Sequence, residues 1–119
     1  MGYRFDGRTN WTLVVHLVDN GKTAEVRPET PWPKGVKVGD RMYFHSPDGK
    51  VKVVFDDVKP SGKWPFAGGK TIEGARQGHE VKNACKFEVY CFIKPRRQAR
   101  FLGWGKRNPR AGMTGSTGG

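Results

Sequence analysis

A chain of 119 residues with 35% hydrophobic side chains, seven Phe, four Trp and three Tyr is long enough to bury one core and too rich in apolar groups for a disordered polymer. Its 22 Lys and Arg against 11 Asp and Glu, a net charge of +11, argue against cationic ligands and for anionic ones: nucleic acid, acidic protein or anionic lipid. No apolar run approaches a membrane span or the core of a signal peptide, so a cytoplasmic protein with no membrane association is expected.

The charge is unevenly placed. All 11 acids lie at or before Glu88, where they face 15 bases. The last 31 residues carry seven bases and no acid. Met1-Gly2 opens like a myristoylation signal, but Asp6 stands where that signal needs Ser or Thr.

In chain order, residues 1–10 read as an irregular lead-in with Gly2, Gly7 and Asn10. Trp11–Val18 is β-branched and aromatic and predicts a strand, with Trp11, Leu13, Val15 and Leu17 on one face. Asp19-Asn20-Gly21-Lys22 is a hairpin turn signature, since Asn-Gly accepts the positive φ of a type I′ turn, and Thr23–Arg27 is the return strand. Pro28, Pro31 and Pro33 make residues 28–40 a loop, with Trp32 plugged onto the core. Arg41–Ser46 is a short strand, Pro47-Asp48-Gly49-Lys50 a tight turn, and Val51–Asp57 a strand with Val51, Val53 and Phe55 on one face.

Residues 58–70 form a second loop rich in Pro and Gly. Residues 71–82 read as an irregular strand or two short ones. Lys86–Ile93 is the clearest strand, with Phe87, Val89, Cys91 and Ile93 on one face, and Arg100–Trp104 is a last strand. From Gly105 onward too few apolar residues remain to pack, which predicts a flexible basic tail over 105–119 behind a domain over 1–104. No helical stripe of ten or more residues appears. Short strands spaced by turn signals predict an all-β antiparallel sandwich.

Val36-Lys-Val-Gly-Asp-Arg-Met-Tyr-Phe44, Ser46-Pro-Asp-Gly-Lys-Val-Lys-Val-Val-Phe55, Trp64-Pro-Phe66 and Cys85-Lys-Phe-Glu-Val-Tyr-Cys91 follow one another in an order that resembles a cupredoxin-like Greek-key sandwich. The resemblance covers about residues 36–104 and puts Cys91 at the position of that family's copper-ligating cysteine. A type-1 copper site also needs two imidazoles. Val51-Lys52-Val53 stands where the first is expected, no His follows His79, and Met113 lies 22 residues beyond Cys91. The resemblance therefore implies a cupredoxin-like scaffold without its copper, and no cofactor.

His16, His45 and His79 are scattered, and no hydrolase, zinc or phosphate-loop motif accompanies them, so no enzyme activity and no metal are expected. Six residues along a strand span about 20 Å at ~3.3 Å per residue, so Cys85 and Cys91 pair only if Cys85 belongs to a turn that folds back, and two reduced thiols are expected. Cys91 is read as a buried thiol. The alternative is a reactive thiolate whose pKa is lowered by Lys94, Arg96 and Arg97. Asp48, Asp56, Asp57 and Glu73 lack the spacing of a known cation loop.

The stretch from Lys94 to Arg110 is the most informative. Lys94, Arg96, Arg97, Arg100, Lys106, Arg107 and Arg110 alternate with Phe101 and Trp104. Guanidinium groups hold phosphates and aromatic rings stack on unpaired bases. The competing reading puts Phe101, Leu102 and Trp104 in a last strand with the cations on its solvated face. Trp32, Trp64 and Phe66, in two Pro/Gly loops, are a candidate recognition surface, or else caps on the core. Together these features predict a non-enzymatic module for a polyanion, foremost nucleic acid. The alternatives are a structural or assembly protein of a virion or nucleoprotein particle, and a cupredoxin-type copper or redox protein. The sequence leaves the oligomeric state open.

Overall fold

The computed structural model describes residues 2–5, 8–19, 24–74, 77–97, 99–103 and 113–119. Ten strands form two sheets: β1 (Gly2–Phe5), β2 (Arg8–Asp19), β3 (Ala24–Pro28), β4 (Arg41–His45), β5 (Gly49–Lys59), β6 (Thr71–Glu73), β7 (His79–Glu80), β8 (Cys85–Pro95), β9 (Leu102–Gly103) and β10 (Met113–Thr117). There is no helix among the described residues, and so none long and apolar enough to cross a membrane. The all-β sandwich expected from strand spacing is the observed architecture.

The first sheet runs β1-β2-β4-β7, with β3 also paired to β2. It is mixed, because β2 and β4 are parallel from Asn10↔Arg41 to Val14↔His45. The second sheet is antiparallel, β10-β8-β5-β6, with β9 also on β8. Side-chain alternation aims the apolar set of each strand inward. Leu13 and Val15 of β2, Val26 of β3, and Met42 and Phe44 of β4 meet Val51, Val53 and Phe55 of β5 and Phe87, Val89, Cys91 and Ile93 of β8 in one core.

Trp32 fills the middle of that core from its proline-flanked loop. Its ring meets Phe87 edge-on at 5.1 Å and Phe55 at 6.3 Å, and Phe55 meets Phe87 at 5.1 Å. Tilted and edge-on aromatic pairs of this kind are worth about 0.5–1.5 kcal/mol each beyond simple burial. The Trp32 indole also donates to the Ser116 carbonyl at 3.1 Å, tying the loop to β10.

Asp40, only 2% exposed, ties its own Lys37–Asp40 turn to the start of β2. Its Oδ1 accepts the Thr9 amide at 3.0 Å, while Oδ2 accepts the Trp11 indole N–H and the Lys37 amide, both at 3.0 Å. Burial works against its charge. The donors Trp11, Thr9 and Lys37, with the Lys37 ammonium, outweigh that and hold the carboxyl below its ordinary pKa.

Three expectations are corrected. The described residues of the expected irregular lead-in are strands: β1 (Gly2–Phe5) pairs antiparallel with Arg8–Trp11 at the start of β2. The strand expected over Val51–Asp57 does not end at Asp57: β5 runs on to Lys59 through a bulge, with Asp57 at φ 50° and the register to β8 shifting between Asp56 and Lys59. The chain after Gly105 does not all behave as a tail. Met113–Thr117 pairs in register with Val89–Cys85, and Lys37 bridges to Gly118. An edge strand needs backbone hydrogen bonds more than apolar side chains. Thr117 supplies the rest, accepting the Cys85 amide at 3.1 Å and donating to the Asn83 carbonyl at 2.5 Å. The hairpin turn expected at Asn20–Lys22 lies outside the described residues, although its two strands pair from Asp19↔Ala24 onward.

Gly115 tests the docking of β10. A Cβ there would lie 2.6 Å from Phe87 Cε1 and 2.8 Å from Trp32 Cγ. Gly115→Ala is expected to lower unfolding free energy in urea by about 1–3 kcal/mol through overpacking; an unchanged midpoint would mean that β10 is not seated on these rings. Asp40→Ala leaves three N–H donors unpaired, and is expected to cost at least about 3 kcal/mol at pH 7, at ~1–3 kcal/mol per stranded group. Because the folded pKa of Asp40 lies below its unfolded value, its contribution is present above about pH 4 and is lost as pH falls through the folded pKa. Acid titration of the wild type should therefore lose stability that Asp40→Asn does not.

Candidate polyanion-binding site

The β5–β8 ladder sets the charge pattern on the outer face of the second sheet. Its register opposes Lys50 to Lys94, Lys52 to Phe92, Val54 to Tyr90, Asp56 to Glu88, and, past the bulge, Lys59 to Lys86. Directly opposed residues on one face have Cβ atoms about 4.5–5.5 Å apart, and like charges there repel. At the Cys85 end, the Lys59/Lys86 pair has the Asp56/Glu88 pair as its neighbour on the ladder. At the Pro95 end, the Lys50/Lys94 pair has only Lys52 and Phe92 beside it.

That uncompensated end opens into a cleft of about 790 Å³, lined by Ser46, Gly49, Lys50, Lys94, Pro95, Arg96 and Arg97. The strands supply it from opposite directions. Lys50 follows the β4–β5 turn, and Arg96 and Arg97 follow the end of β8. Gly49 lets the two meet, since a Cβ at that position would press onto the Lys94 carbonyl. Arg97 sits in the left-handed region at φ 69°, an uncommon conformation for a non-glycine residue. Among the described residues, no carboxylate forms an ion pair with Lys50, Lys94, Arg96 or Arg97. Asp48, the nearest acid in sequence, spends its Oδ2 on the Leu17 amide at 2.8 Å.

Phe101 extends the same surface. The Lys52 and Lys94 ammonium groups stand 5.2 and 5.6 Å from its ring centroid. Cation–π contacts of this kind contribute about 0.5–1 kcal/mol each at exposed sites. They add to the β8–β9 pairing in keeping Phe101 against the ladder, with exposed Arg100 next to it in sequence. Next along the face, Tyr90 is buried and donates to Glu88 Oε2 at 3.2 Å. Its pKa is raised by burial first, then by Glu88 and Asp56.

Of the residues marked in the sequence, Lys94, Arg96 and Arg97 are brought together and Arg100 lies nearby. Trp104, Lys106, Arg107 and Arg110 lie outside the described residues. Lys50 and Lys52 were missed, because only the strand register shows that they face Lys94 and Phe92. The candidate recognition aromatics are corrected. Trp32 and Phe66 are core residues, 6% and 2% exposed, and Trp64 packs on the core's edge. The capping role weighed for them is the one observed.

Elsewhere, cations share acids: Arg8, Arg41 and Lys82 surround Glu80 at 4.0, 4.0 and 3.3 Å. The histidines are dispersed, with His16 against Glu29 at 3.6 Å, His45 exposed at the end of β4, and His79 against the Glu73 carbonyl at 2.6 Å. No three His, Cys, Asp or Glu side chains among the described residues are grouped to hold a metal ion. Among the described residues, Cys91 therefore has no pair of imidazoles grouped with it, as the cupredoxin copper would need. Comparison with protein-family models, curated proteins and solved structures found no match to this chain.

Both cysteines are free thiols on the inner face of β8. Burial pushes Cys91 up to about 12, and the cations after it stand on the outer face or beyond the strand end, too far round to lower it. Burial also raises Cys85, partly offset by the Thr117 hydroxyl. In native protein at pH 8, a thiol reagent such as DTNB should leave Cys91 unmodified, and the reaction should complete only on unfolding. Rapid native labelling of Cys91 would contradict its burial.

Proposed function

We propose that this chain is a non-enzymatic binding module for a polyanion, foremost nucleic acid, on a cupredoxin-like scaffold that carries no copper. The reading rests on one observation: Lys50 opposes Lys94 across the β5–β8 ladder, and Arg96 and Arg97 close the cleft around them with no carboxylate in ion-pair reach among the described residues. Building such a group costs stability in the free protein, because like charges face one another. Bound phosphates reverse that cost. Guanidinium groups add paired hydrogen bonds to phosphate oxygens, which ammonium groups alone do not.

The net charge of +11 supports the same partner class, as does the run of bases after Glu88. Cation–phosphate contacts orient a nucleic acid without reading its sequence, so the reading is of a sequence-tolerant binder. Nucleic acid is favoured over acidic protein because phosphates recur at a regular spacing along the chain, so several can engage a contiguous row of cations at once.

The test is a salt titration with single-stranded and duplex oligonucleotides. Log affinity should fall linearly with log salt, by about 0.7 per phosphate neutralised for a single strand and about 0.9 for a duplex. The quadruple variant Lys50→Gln/Lys94→Gln/Arg96→Gln/Arg97→Gln should lower affinity and flatten the slope by about 3–4. All four side chains lie at the surface and none carries the core, so the variant should fold. No binding at low salt, or an unchanged slope in the variant, would overturn the reading.

A further inference from the structure

A second recess lies at the opposite end of β8, where the chain enters the strand at Cys85. It is an open groove of about 1140 Å³. Its apolar wall is Trp11, Val36, Pro60 and Ala84, and its cations are Lys37, Lys59 and Lys86. We infer that this groove is a site for a nucleoside phosphate, with the base stacked on the Trp11 indole and the phosphate held by Lys59 and Lys86.

Three features lead to that class of ligand. First, the ring is held in place before any ligand arrives. The Trp11 indole N–H is anchored to Asp40 Oδ2 at 3.0 Å, and the same carboxylate holds the Lys37 amide and the Thr9 amide. The half-buried Trp11 lines the groove with its only polar atom already committed to Asp40. Stacking a base on an aromatic ring is worth about 1–3 kcal/mol.

Second, the bulge in β5 sets the cations. The register shift between Asp56 and Lys59 brings Lys59 opposite Lys86, and both lysines line the groove. Neither has an ion pair among the described residues, and the groove lining contains no Asp or Glu side chain. Asp57 and Glu88 line the adjoining recess instead, together with the same two lysines.

Third, the groove wall sets an aromatic ring beside cations, which suits an anion that carries a ring better than one that carries only an alkyl chain.

The site is separate from the Lys50/Lys94 cleft, so the two readings can fail independently. The test is titration of isotope-labelled full chain with AMP, adenosine, inorganic phosphate and decanoate, followed by NMR and calorimetry. AMP should bind saturably and shift the Trp11 indole resonance together with the Lys59 and Lys86 amides. Lys59→Gln/Lys86→Gln, at two exposed positions, should weaken AMP by about tenfold, and phosphate alone should bind more weakly than AMP. Trp11→Phe should weaken AMP while leaving the weak phosphate binding in place. The quadruple variant of the other cleft should bind AMP as the wild type does. AMP affinity weaker than about 1 mM overturns the inference. So do AMP shifts mapping to Lys50 and Lys94, phosphate alone binding as tightly as AMP, or decanoate binding more tightly than either.

Discussion

The antiparallel register of β5 against β8 governs both faces of the second sheet. On the inner face it brings Val51, Val53 and Phe55 beside Ile93, Cys91 and Val89, the middle of the core. On the outer face the same register decides which charges meet. A slip of one residue would exchange the faces and put lysines into the core. The buried apolar set therefore holds the register, and the register forces Lys50 onto Lys94. The repulsion at the Pro95 end is tolerated because the hydrophobic stabilisation of the inner face is far larger.

The bulge at Asp57 divides the ladder into two unlike ends. At the Pro95 end, Lys50 opposes Lys94 with only Lys52 and Phe92 beside them. After the bulge, one extra residue in β5 restores the facing of Lys59 and Lys86 next to Asp56 and Glu88. The two recesses of the sandwich differ in character for this reason. One is ringed by cations with a cation-bearing phenyl beside it. The other pairs cations with an indole that a buried carboxylate holds still. Asp40 links that indole to the Lys37 loop and to the start of β2, so the first sheet, the proline-rich loop and the groove wall share one polar anchor.

Some of this was legible in the residues themselves. Alternation in Trp11–Val18, Val51–Phe55 and Lys86–Ile93 was enough to name the inward faces, because side-chain period in a strand is a local property. Trp32, set between two prolines, could be read as a plug on the core or as a recognition ring, and its contacts with Phe55 and Phe87 decide for the core. Trp64 and Phe66 pose the same choice, because a Pro/Gly loop looks the same whether its rings face solvent or core. Phe66 is buried only because Phe44, Phe55 and His79 surround it, and those contacts span distant segments. Met113–Thr117 escaped a reading based on apolar content, since it is held by ladder hydrogen bonds and by a glycine that leaves room for two rings.

By itself, the sequence determined the fold class, the reduced cysteines' inward strand and the excess of positive charge toward the C-terminal third. Those depend on composition and short-range periodicity. Only the tertiary structure decided which cations face one another, that Lys50 and Lys52 belong with Lys94 and Arg96, and that the chain's last described strand closes the sheet beside Cys85. These depend on strand pairing between residues tens of positions apart, and pairing is selected by the summed burial of the whole core rather than by any local run of residues.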